Sequence, residues 1–317
     1  MIAEFDIVKT DVTTSNLTQI SREQSLLQEA RICELYELAL HVIRRGEEIF
    51  EDAEINDVLS LFLDVELRIN NDIDSLTHEK NVERINEYLL NLSLFDKAVL
   101  CELICEIYTK RKSAITEADF LKQEKLAYTF VYVKNPFADE AYDVFSQDFE
   151  NPTVRYAQSF KEALRYVSEG SVSFALLPLE EKGGTRIHSV SQLIFEGDYK
   201  IISVTPVFGF DGSADMKYAL VAKNFTQTTE VFGDDRYLEI RIPKDADTSL
   251  SEILFAAEHF KHGIYRIGTV SFDIEGGPCE FYSIVFRNGG EDFTLLLMYL
   301  TLFSESYAPV GIYKNLE

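Results

Sequence analysis

Residues 158–202 constrain the fold most strongly, because their pattern predicts a helix, a strand, a turn, a second helix and a second strand. The first helix is predicted to end at Gly170, since glycine commonly follows the last turn of a helix. The second helix is predicted for residues 187–195 and the second strand for residues 199–204. The first helix shows apolar residues at helical spacing, namely Phe160, Ala163, Leu164 and Val167.

The first strand of this stretch is a nearly continuous apolar run from Val172 to Leu179. Such a run is typical of a strand buried on both faces of a parallel sheet, and we expect Pro178 to end it. The order strand, helix, strand predicts a βαβ unit with its turn at the carboxyl end of the first strand. Open α/β sheets bind their ligands at that edge.

The composition is that of a globular protein, and 317 residues leave room for two or three domains. A net charge of -24 argues against nucleic acid and anionic membranes as partners, because both are bound through a surplus of Lys and Arg. No apolar run approaches the roughly 20 residues of a membrane span. The amino terminus lacks a secretory signal pattern, and four Cys are too few for a disulfide framework. We expect a cytoplasmic protein without a cofactor.

Three domains are predicted from changes of pattern along the chain. Residues 1–125 are expected to be all-helical, residues 126–225 to form an α/β lobe, and residues 234–317 to form an α+β domain. A polar connector at residues 226–235 joins the last two. The helices predicted for the first domain lie near residues 21–44, 55–69, 82–92 and 95–108.

Two pairs of side chains are candidate metal ligands. Cys101 and Cys105 lie one helical turn apart, but no second Cys or His pair lies near them in the sequence, so we interpret them as core residues. His259 and His262 could share a helix face, yet no third ligand has an obvious spacing. We therefore expect no metal site.

The segment Leu177-Pro178-Leu179-Glu180, followed by an amphipathic helix and by Lys200-Ile201-Ile202, resembles prephenate dehydratase. The match runs without a gap from Ser159 to Ile202. The resemblance implies a periplasmic-binding-protein-like lobe for residues 126–225, truncated because the family's second lobe is missing after Val204. It also implies that Glu180 occupies the position of the family's glutamate.

The match departs from the family at positions that the resemblance would assign to catalysis. Lys134-Asn135-Pro136-Phe137-Ala138 stands where the family has a turn rich in glycine and hydroxyl groups. Met216 stands at the family's threonine, the presumed proton donor, and Lys217 at its arginine. Methionine cannot donate a proton, whereas lysine still offers a positive charge. No catalytic residue is therefore assigned.

The turn after the first strand is a candidate binding site for a small carboxylate. Gly183 and Gly184 let the backbone approach a ligand, and a helix starting near Thr185 would direct free N–H groups at the strand ends. Alternatively, the cations of the turn merely neutralise Glu180 and Glu181 at the surface. With Lys217 placed by the resemblance, the candidate residues are Glu180, Lys182, Gly183, Gly184, Thr185, Arg186 and Lys217.

From Arg236 onward the pattern predicts the order β-α-β-β-α-β, which is the ferredoxin-like topology. With Val310-Gly311-Ile312-Tyr313 as the last strand, this segment resembles an ACT domain. The resemblance implies amino-acid binding between paired domains and a homo-oligomer. We expect Gly263-Ile264 to close the first helix. The candidate effector residues are Thr248, Ser249, Leu250, Gly263 and Ile264.

Together these patterns predict a prephenate dehydratase-family protein linked to phenylalanine biosynthesis. We expect it to be catalytically impaired and to act as a regulatory protein that binds a small carboxylate or an aromatic amino acid. An active dehydratase that forms phenylpyruvate, water and CO2 from prephenate remains open, with a site completed by the helical domain or a neighbouring chain. A divergent chorismate mutase in the first domain is also open; its candidate cations are Arg22, Arg31, Arg68 and Arg84.

Overall fold

The structure is a computed structural model. The chain forms two compact units, Met1–Ile115 and Thr116–Glu317. The predicted helix at residues 55–69 and the predicted connector at residues 226–235 lie almost entirely outside the described residues. The residues that the structure describes are 22, 24–44, 59, 85, 87–111, 114–121, 123–124, 127–147, 149–209, 214–226, 236–246, 248–274, 277–304 and 306–314.

The described part of the amino-terminal unit is helical. Residues 24–44 and 87–90 are helical, and helix α1 spans Leu94–Arg111. The buried side chains of α1 recur at helical spacing, and Cys101 is fully buried among them while Cys105 is partly buried. Lys110 and Arg111 end the helix, where positive charge is favourable beside the last carbonyl groups.

The carboxyl-terminal unit contains both the predicted α/β lobe, residues 126–225, and the predicted α+β domain, residues 234–317. After a short 3-10 turn at Glu117–Asp119 its helices and strands alternate along the chain. They are β1 (Gln123–Glu124), β2 (Thr129–Val133), α2 (Pro136–Ser146), β3 (Thr153–Ala157), α3 (Phe160–Ser168), β4 (Phe174–Glu181), α4 (His188–Glu196), β5 (Lys200–Phe208), β6 (Ala214–Ala222), β7 (Phe225–Thr226), β8 (Arg236–Pro243), α5 (Leu250–His259), β9 (Gly263–Ile274), β10 (Gly277–Arg287), α6 (Thr294–Phe303) and β11 (Ala308–Lys314).

Nine of these strands form one mixed sheet in the order β3-β2-β4-β6-β5-β11-β8-β10-β9. Strands β4 and β5 run in the same direction, as the predicted βαβ unit requires, but they are not neighbours. Strand β6 returns from β5 through residues 209–213 and pairs antiparallel with both of them. The expectation of a purely parallel environment for β4 is therefore wrong, because a hairpin strand inserts between the two parallel strands.

Strand β4 also continues beyond Pro178 to Glu181, so the expectation that Pro178 ends it is wrong. Pro178 lies opposite Tyr218 of β6, and the register shifts between Pro178 and Glu180. Proline cannot donate a hydrogen bond to the ladder, and a local irregularity of this kind accommodates it within a strand. Glu180 is consequently part of the strand instead of the turn in which the sequence pattern places it.

Residues 236–314 show the predicted order β-α-β-β-α-β, and their strands lie in the order β11-β8-β10-β9. Lys261, not Gly263, closes α5. Its φ is 64°, the Lys261 amide donates to Glu258 and the His262 amide to Ala257, which is the Schellman pattern at a helix end. Gly263 is instead the first residue of β9.

The two segments predicted as separate domains share one sheet and one core. Strand β11 pairs with β5 through Gly311 and Ile201. The Phe195 ring of α4 lies 6.4 Å from the Phe272 ring of β9. The buried apolar cluster accordingly includes residues from both segments, among them Val310.

We expect Gly311→Ala to lower the free energy of unfolding by about 1–3 kcal/mol, the usual cost of overpacking a core. A Cβ atom at Gly311 would lie 2.8 Å from Ile201 Cβ and 3.0 Å from the Ile201 carbonyl oxygen. Urea denaturation measures the change. Gly268→Ala is the matched control, because a Cβ atom on Gly268 of β9 meets no atom within 4 Å. Equal stability of the two variants would contradict this account of the β5–β11 contact.

Candidate functional site

Glu180 is a buried carboxylate near the end of β4, with 4% of its surface exposed. A charge at this depth requires paired groups, because burial removes its hydration. Arg266 of β9 places Nη1 2.6 Å from Glu180 Oε1. Arg186 Nε lies 3.4 Å from the same oxygen, and Lys217 Nζ of β6 lies 3.5 Å from Oε2. Three cations from three parts of the chain therefore surround one carboxylate.

Glu239 of β8 is a second carboxylate, only 2% exposed. Arg186 donates to its Oε2 at 2.6 Å, and the Tyr313 hydroxyl donates to the same oxygen at 3.2 Å. Ser283 donates to Oε1 at 3.0 Å. Arg186 thus bridges Glu239 and Glu180. We call the five charged residues the charge cluster: Glu180, Arg186, Lys217, Glu239 and Arg266.

The charges of the cluster favour the protonated forms of Arg186 and of the neighbouring Tyr313. Burial works against the charge of Arg186, but Glu239 and Glu180 outweigh it and raise the pKa of Arg186 above its ordinary value. Burial, followed by the nearby Glu239 carboxylate, raises the pKa of the Tyr313 hydroxyl well above its ordinary value. Tyr313 therefore remains a hydrogen-bond donor. With three cations and two carboxylates, the cluster carries one surplus positive charge.

A tight hairpin places Arg186 beside Glu180. The Glu181 amide donates to the Thr185 carbonyl oxygen at 2.9 Å. Gly183 and Gly184 have φ values of 89° and 81°, a conformation that favours glycine. Arg186 consequently lies directly across from Glu180 in an antiparallel bridge. The expectation of a helix starting near Thr185 is wrong, because the hairpin occupies these residues and α4 begins only at His188.

A β-bulge in β9 brings Arg266 and Tyr265 into the same region. The register with β10 pairs Arg266 with Val285 and Ile264 with Phe286, so Tyr265 is the extra residue. Bulges of this kind redirect side chains relative to regular alternation. The Tyr265 ring lies 4.9 Å from the Tyr237 ring and 6.0 Å from Lys217 Nζ, while Arg266 reaches Glu180.

The structure brings Glu180, Arg186 and Lys217 of the predicted carboxylate site together. Lys182 lies apart from them: its side chain is 60% exposed and its Nζ is 2.9 Å from Asp215. The hairpin residues Gly183, Gly184 and Thr185 adjoin the cluster, and the Gly184 carbonyl oxygen accepts from Arg266 Nη2 at 2.7 Å.

Sequence reasoning missed Glu239 and Arg266, which complete the cluster. Both lie in β-strands far along the chain, and neither belongs to a local motif. A charged residue within an otherwise apolar strand was the only available signal, as in Leu238-Glu239-Ile240. That signal indicates a buried charge but not its partners.

The residues predicted for an effector site lie at opposite ends of α5. The Thr248 hydroxyl donates to the Phe303 carbonyl at 2.6 Å, and Ser249 caps α5 by accepting from the Glu252 amide. Leu250 begins the helix, whereas Gly263 and Ile264 begin β9 after it. A helix of this length spans roughly 15 Å. An effector site built from both groups stays a prediction.

The turn at residues 134–138 caps a helix. The Asn135 side chain accepts from the Ala138 amide at 3.0 Å, and Pro136 occupies the first helical position of α2. The Tyr218 hydroxyl donates to the same Asn135 oxygen at 3.3 Å. In β6, Met216 and Lys217 are successive residues of a strand, so they point to opposite faces of the sheet.

The two histidines considered as metal ligands contact aromatic rings. His259 stacks on Phe255 with ring centroids 6.0 Å apart, and His262 lies 4.6 Å from the Phe293 ring. Burial lowers the pKa of His262 to about 4, so it is neutral at pH 7. Within the described ranges, no group of three or more His, Cys, Asp or Glu could hold a metal ion.

In the amino-terminal unit, Arg31 is paired with acidic side chains. Its guanidinium lies 3.0 Å from Asp96 and 2.8 Å from Glu34, and these hydrogen bonds raise its pKa above the ordinary value. Of the other three cations that are candidates for a mutase site, Arg22 is helical and exposed, whereas Arg68 and Arg84 lie outside the described residues. In the part of the chain that the structure describes, no helix is long and apolar enough to cross a membrane.

No protein-family profile and no curated protein sequence matches this chain. Among solved structures, the prephenate dehydratase of Streptococcus mutans aligns at 14% identity over 60% of this chain and 100% of its own, with a TM-score of 0.47. GqqA, a quorum-quenching acylase, aligns at 18% identity over 60% and 96%, with a TM-score of 0.43. The L-Phe complex of prephenate dehydratase from Arthrobacter aurescens aligns at 13% identity over 59% and 90%, with a TM-score of 0.43. TM-scores below 0.5 do not establish a shared fold, so the function of this chain has to be inferred from its own contacts.

Proposed function

We propose that this chain is a prephenate dehydratase-like protein that binds a small carboxylate or an aromatic amino acid at the charge cluster and has lost dehydratase chemistry. The observation that carries the proposal is the surplus positive charge around Glu180. Lys217 and Arg266 lie within 3.5 Å of this carboxylate, and both side chains are partly exposed. A ligand carboxylate can approach them from solvent and balance the charge.

The same cluster supports binding more strongly than catalysis. Met216 replaces the hydroxyl that the resemblance would assign as proton donor, and its thioether carries no proton to donate. Both oxygens of Glu180 lie against cations, so this carboxylate is engaged in ion pairs within the protein. Strands β5 and β6 are joined by residues 209–213 alone, so no second lobe stands between them.

We expect little or no formation of phenylpyruvate from prephenate by the purified protein. Loss of the proton donor alone lowers the rate by about 10²- to 10⁴-fold, and loss of the cleft removes substrate positioning as well. A spectrophotometric assay with an authentic prephenate dehydratase as positive control measures this rate. A parallel assay with chorismate tests the amino-terminal unit for mutase activity. Turnover within tenfold of the positive control would refute the loss of dehydratase chemistry.

We expect one or more carboxylates to raise the melting temperature in a thermal-shift screen of chorismate, prephenate, phenylalanine, tyrosine and tryptophan. A ligand that binds only the folded state stabilises it by about 2.7 kcal/mol at a hundredfold excess over its dissociation constant. Phenethylamine, which has no carboxylate, is the matched negative control. The proposal of ligand binding fails if none of the carboxylates shifts the melting temperature at millimolar concentration.

We further propose that the chain forms a homo-oligomer through residues 236–314, a segment we interpret as an ACT-like domain. Strand β9 is an edge of the nine-stranded sheet and carries exposed Ile264 and Ile267. Long edge strands with exposed apolar residues are usually covered by a partner. An isologous dimer would bury this edge.

Light scattering at micromolar concentration is expected to give a dimer or a larger assembly. Ile267→Lys should shift the mass towards the monomer, because it places a charge on the edge that a partner would cover. Val154→Lys on the opposite edge strand β3 is the matched control. A wild-type protein that is monomeric at micromolar concentration would contradict the proposal.

A further inference from the structure

Three cations and one carboxylate meet at the carboxyl-terminal end of α4. Lys200, the first residue of β5, donates from Nζ to Asp198 Oδ1 at 2.8 Å. Arg241 of β8 donates from Nη2 to the same oxygen at 3.1 Å. Lys223 follows β6 and donates from Nζ to the Gly197 carbonyl oxygen at 2.8 Å. We call Lys200, Lys223 and Arg241 the cation triad.

The cation triad carries more positive charge than its acidic neighbour balances. Among the described residues, Asp198 is the one acidic side chain within ion-pair distance of the triad. The nearby Glu196, the last residue of α4, accepts a hydrogen bond from Gln192 instead. Three cations against one carboxylate leave two positive charges at this place, in a chain whose net charge is -24.

Burial makes this surplus of charge unfavourable. Lys200 is only 8% exposed. Burial lowers its pKa, the Asp198 carboxylate offsets this effect only in part, and the charges of Arg241 and Lys223 lower the pKa further. Burial also lowers the pKa of Arg241. In the charge cluster, by contrast, the carboxylates raise the pKa of Arg186. The triad therefore lacks the negative charge that the charge cluster contains.

Capping of α4 does not account for three cations. The Asp198 amide donates to the Phe195 carbonyl oxygen and the Tyr199 amide donates to the Ile194 carbonyl oxygen, while Asp198 has a φ of 49°. This is the Schellman pattern, in which the backbone itself satisfies carbonyl groups of the last turn. The helix dipole adds only about half an elementary negative charge at this end, which is less than the surplus of the triad.

The triad also offers hydrogen-bond donors at the surface. Lys223 is exposed, and its ammonium uses one of three N–H groups on the described residues. Arg241 likewise uses two of its five N–H groups, and its side chain is 17% exposed. Lys223 is held in position because its Nζ also lies 5.2 Å from the Tyr199 ring, whose hydroxyl donates to the Leu164 carbonyl oxygen.

We propose that the cation triad binds a phosphate group, either as inorganic phosphate or as the monoester of a small phosphorylated molecule. A phosphate monoester carries a charge of about -1.5 to -2 at pH 7 and three acceptor oxygens, so its charge matches the surplus of the triad. Its oxygens accept from Lys223 and Arg241 at the surface, and the buried Lys200 contributes its charge from beneath. A carboxylate has a single negative charge and would balance only half of the surplus.

The cation triad is separate from the charge cluster. Lys217 of the charge cluster precedes Lys223 by six residues along β6 and its continuation, a separation of about 20 Å in an extended strand. The charge cluster lies near the carboxyl end of β4, whereas the triad lies at the amino end of β5, which runs in the same direction. Phosphate binding at the triad is therefore independent of the proposed carboxylate site.

Isothermal titration calorimetry of the full-length protein, at constant ionic strength and in a buffer without phosphate, tests the proposal. The probes are inorganic phosphate, glycerol 3-phosphate and methanesulfonate. Methanesulfonate is the matched control, because it has a tetrahedral group with three oxygens but a single negative charge. We expect inorganic phosphate or glycerol 3-phosphate to bind about tenfold or more tightly than methanesulfonate, because its second charge interacts with the surplus of the triad. The comparison of the first two probes distinguishes free phosphate from a phosphate monoester.

Substitution of the exposed lysine locates the site. We expect Lys223→Gln to weaken the better phosphate probe by about 10- to 100-fold, the loss of a charged hydrogen bond, and Lys223→Arg to retain binding. Lys182→Gln is the matched control, because it removes an exposed lysine from the hairpin near the opposite end of β6 and should leave phosphate binding unchanged. Circular dichroism and melting curves establish that each variant folds.

Substitution of the carboxylate should have the opposite effect. We expect Asp198→Asn to tighten phosphate binding by about 3- to 10-fold, because it removes the negative charge that competes with the phosphate for the triad. Asparagine tolerates the left-handed conformation of residue 198 and can still accept hydrogen bonds from Lys200 and Arg241. A purely structural role for Asp198 would not strengthen binding.

Three results would overturn the proposal. Equal affinity of Lys223→Gln and Lys182→Gln for phosphate would place the phosphate elsewhere on the protein. Binding of methanesulfonate as tightly as the phosphate probes would exclude a site built for a double charge. Absence of binding of both phosphate probes at millimolar concentration would refute the site altogether. The thermal-shift screen with carboxylates tests the charge cluster separately, so failure of one site leaves the other standing.

Discussion

Burial of the Glu180 and Glu239 carboxylates is the constraint on which the carboxyl-terminal unit depends. Removal of one partner from a buried ion pair typically costs about 3–5 kcal/mol, because it leaves an uncompensated charge. The cations that prevent this come from the hairpin after β4, from β6 and from β9. Each of these segments must therefore keep its position relative to β4, and the two predicted domains are held as one unit.

Strand β8 carries three charged residues, each of which binds a different part of the carboxyl-terminal unit. At its start Arg236 pairs with Glu117 of the 3-10 turn, which also accepts from the Phe293 amide at the beginning of α6. Farther along, Glu239 binds Arg186. Arg241 then donates to the Phe195 carbonyl at the end of α4, where positive charge complements the helix dipole. Strand β8 thus contacts the 3-10 turn at Glu117, the hairpin at Arg186 and the end of α4 at Phe195.

The same interactions that stabilise the unit explain why we favour binding over chemistry. Both oxygens of the Glu180 carboxylate are engaged in ion pairs, and Met216 carries no hydroxyl that could supply a proton. What the cluster retains is a surplus of positive charge, and two of its cations, Lys217 and Arg266, are partly exposed. These features suit recognition of an anion, and Arg266 comes from the ferredoxin-like segment of the same chain.

The sequence by itself determined the local elements of this protein. Helical spacing located α3 and α4 to within about two residues, the order β-α-β-β-α-β was present in the pattern after Arg236, and the site candidates Glu180, Arg186 and Lys217 were named. Only the tertiary structure decided that β6 inserts between β4 and β5, that Gly311 lets β11 join β5, and that Lys182 turns away to Asp215.

The tertiary structure likewise decided that Arg266 and Glu239 complete the cluster, after the bulge at Tyr265 redirected β9. Periodicity reports which face of an element is buried, because it depends on neighbours three or four residues apart in a helix and two apart in a strand. It does not report which distant strand lies beside that face. Arg266 is 86 residues from Glu180, and their contact depends on strand pairing and on one irregular residue, neither of which any local pattern encodes.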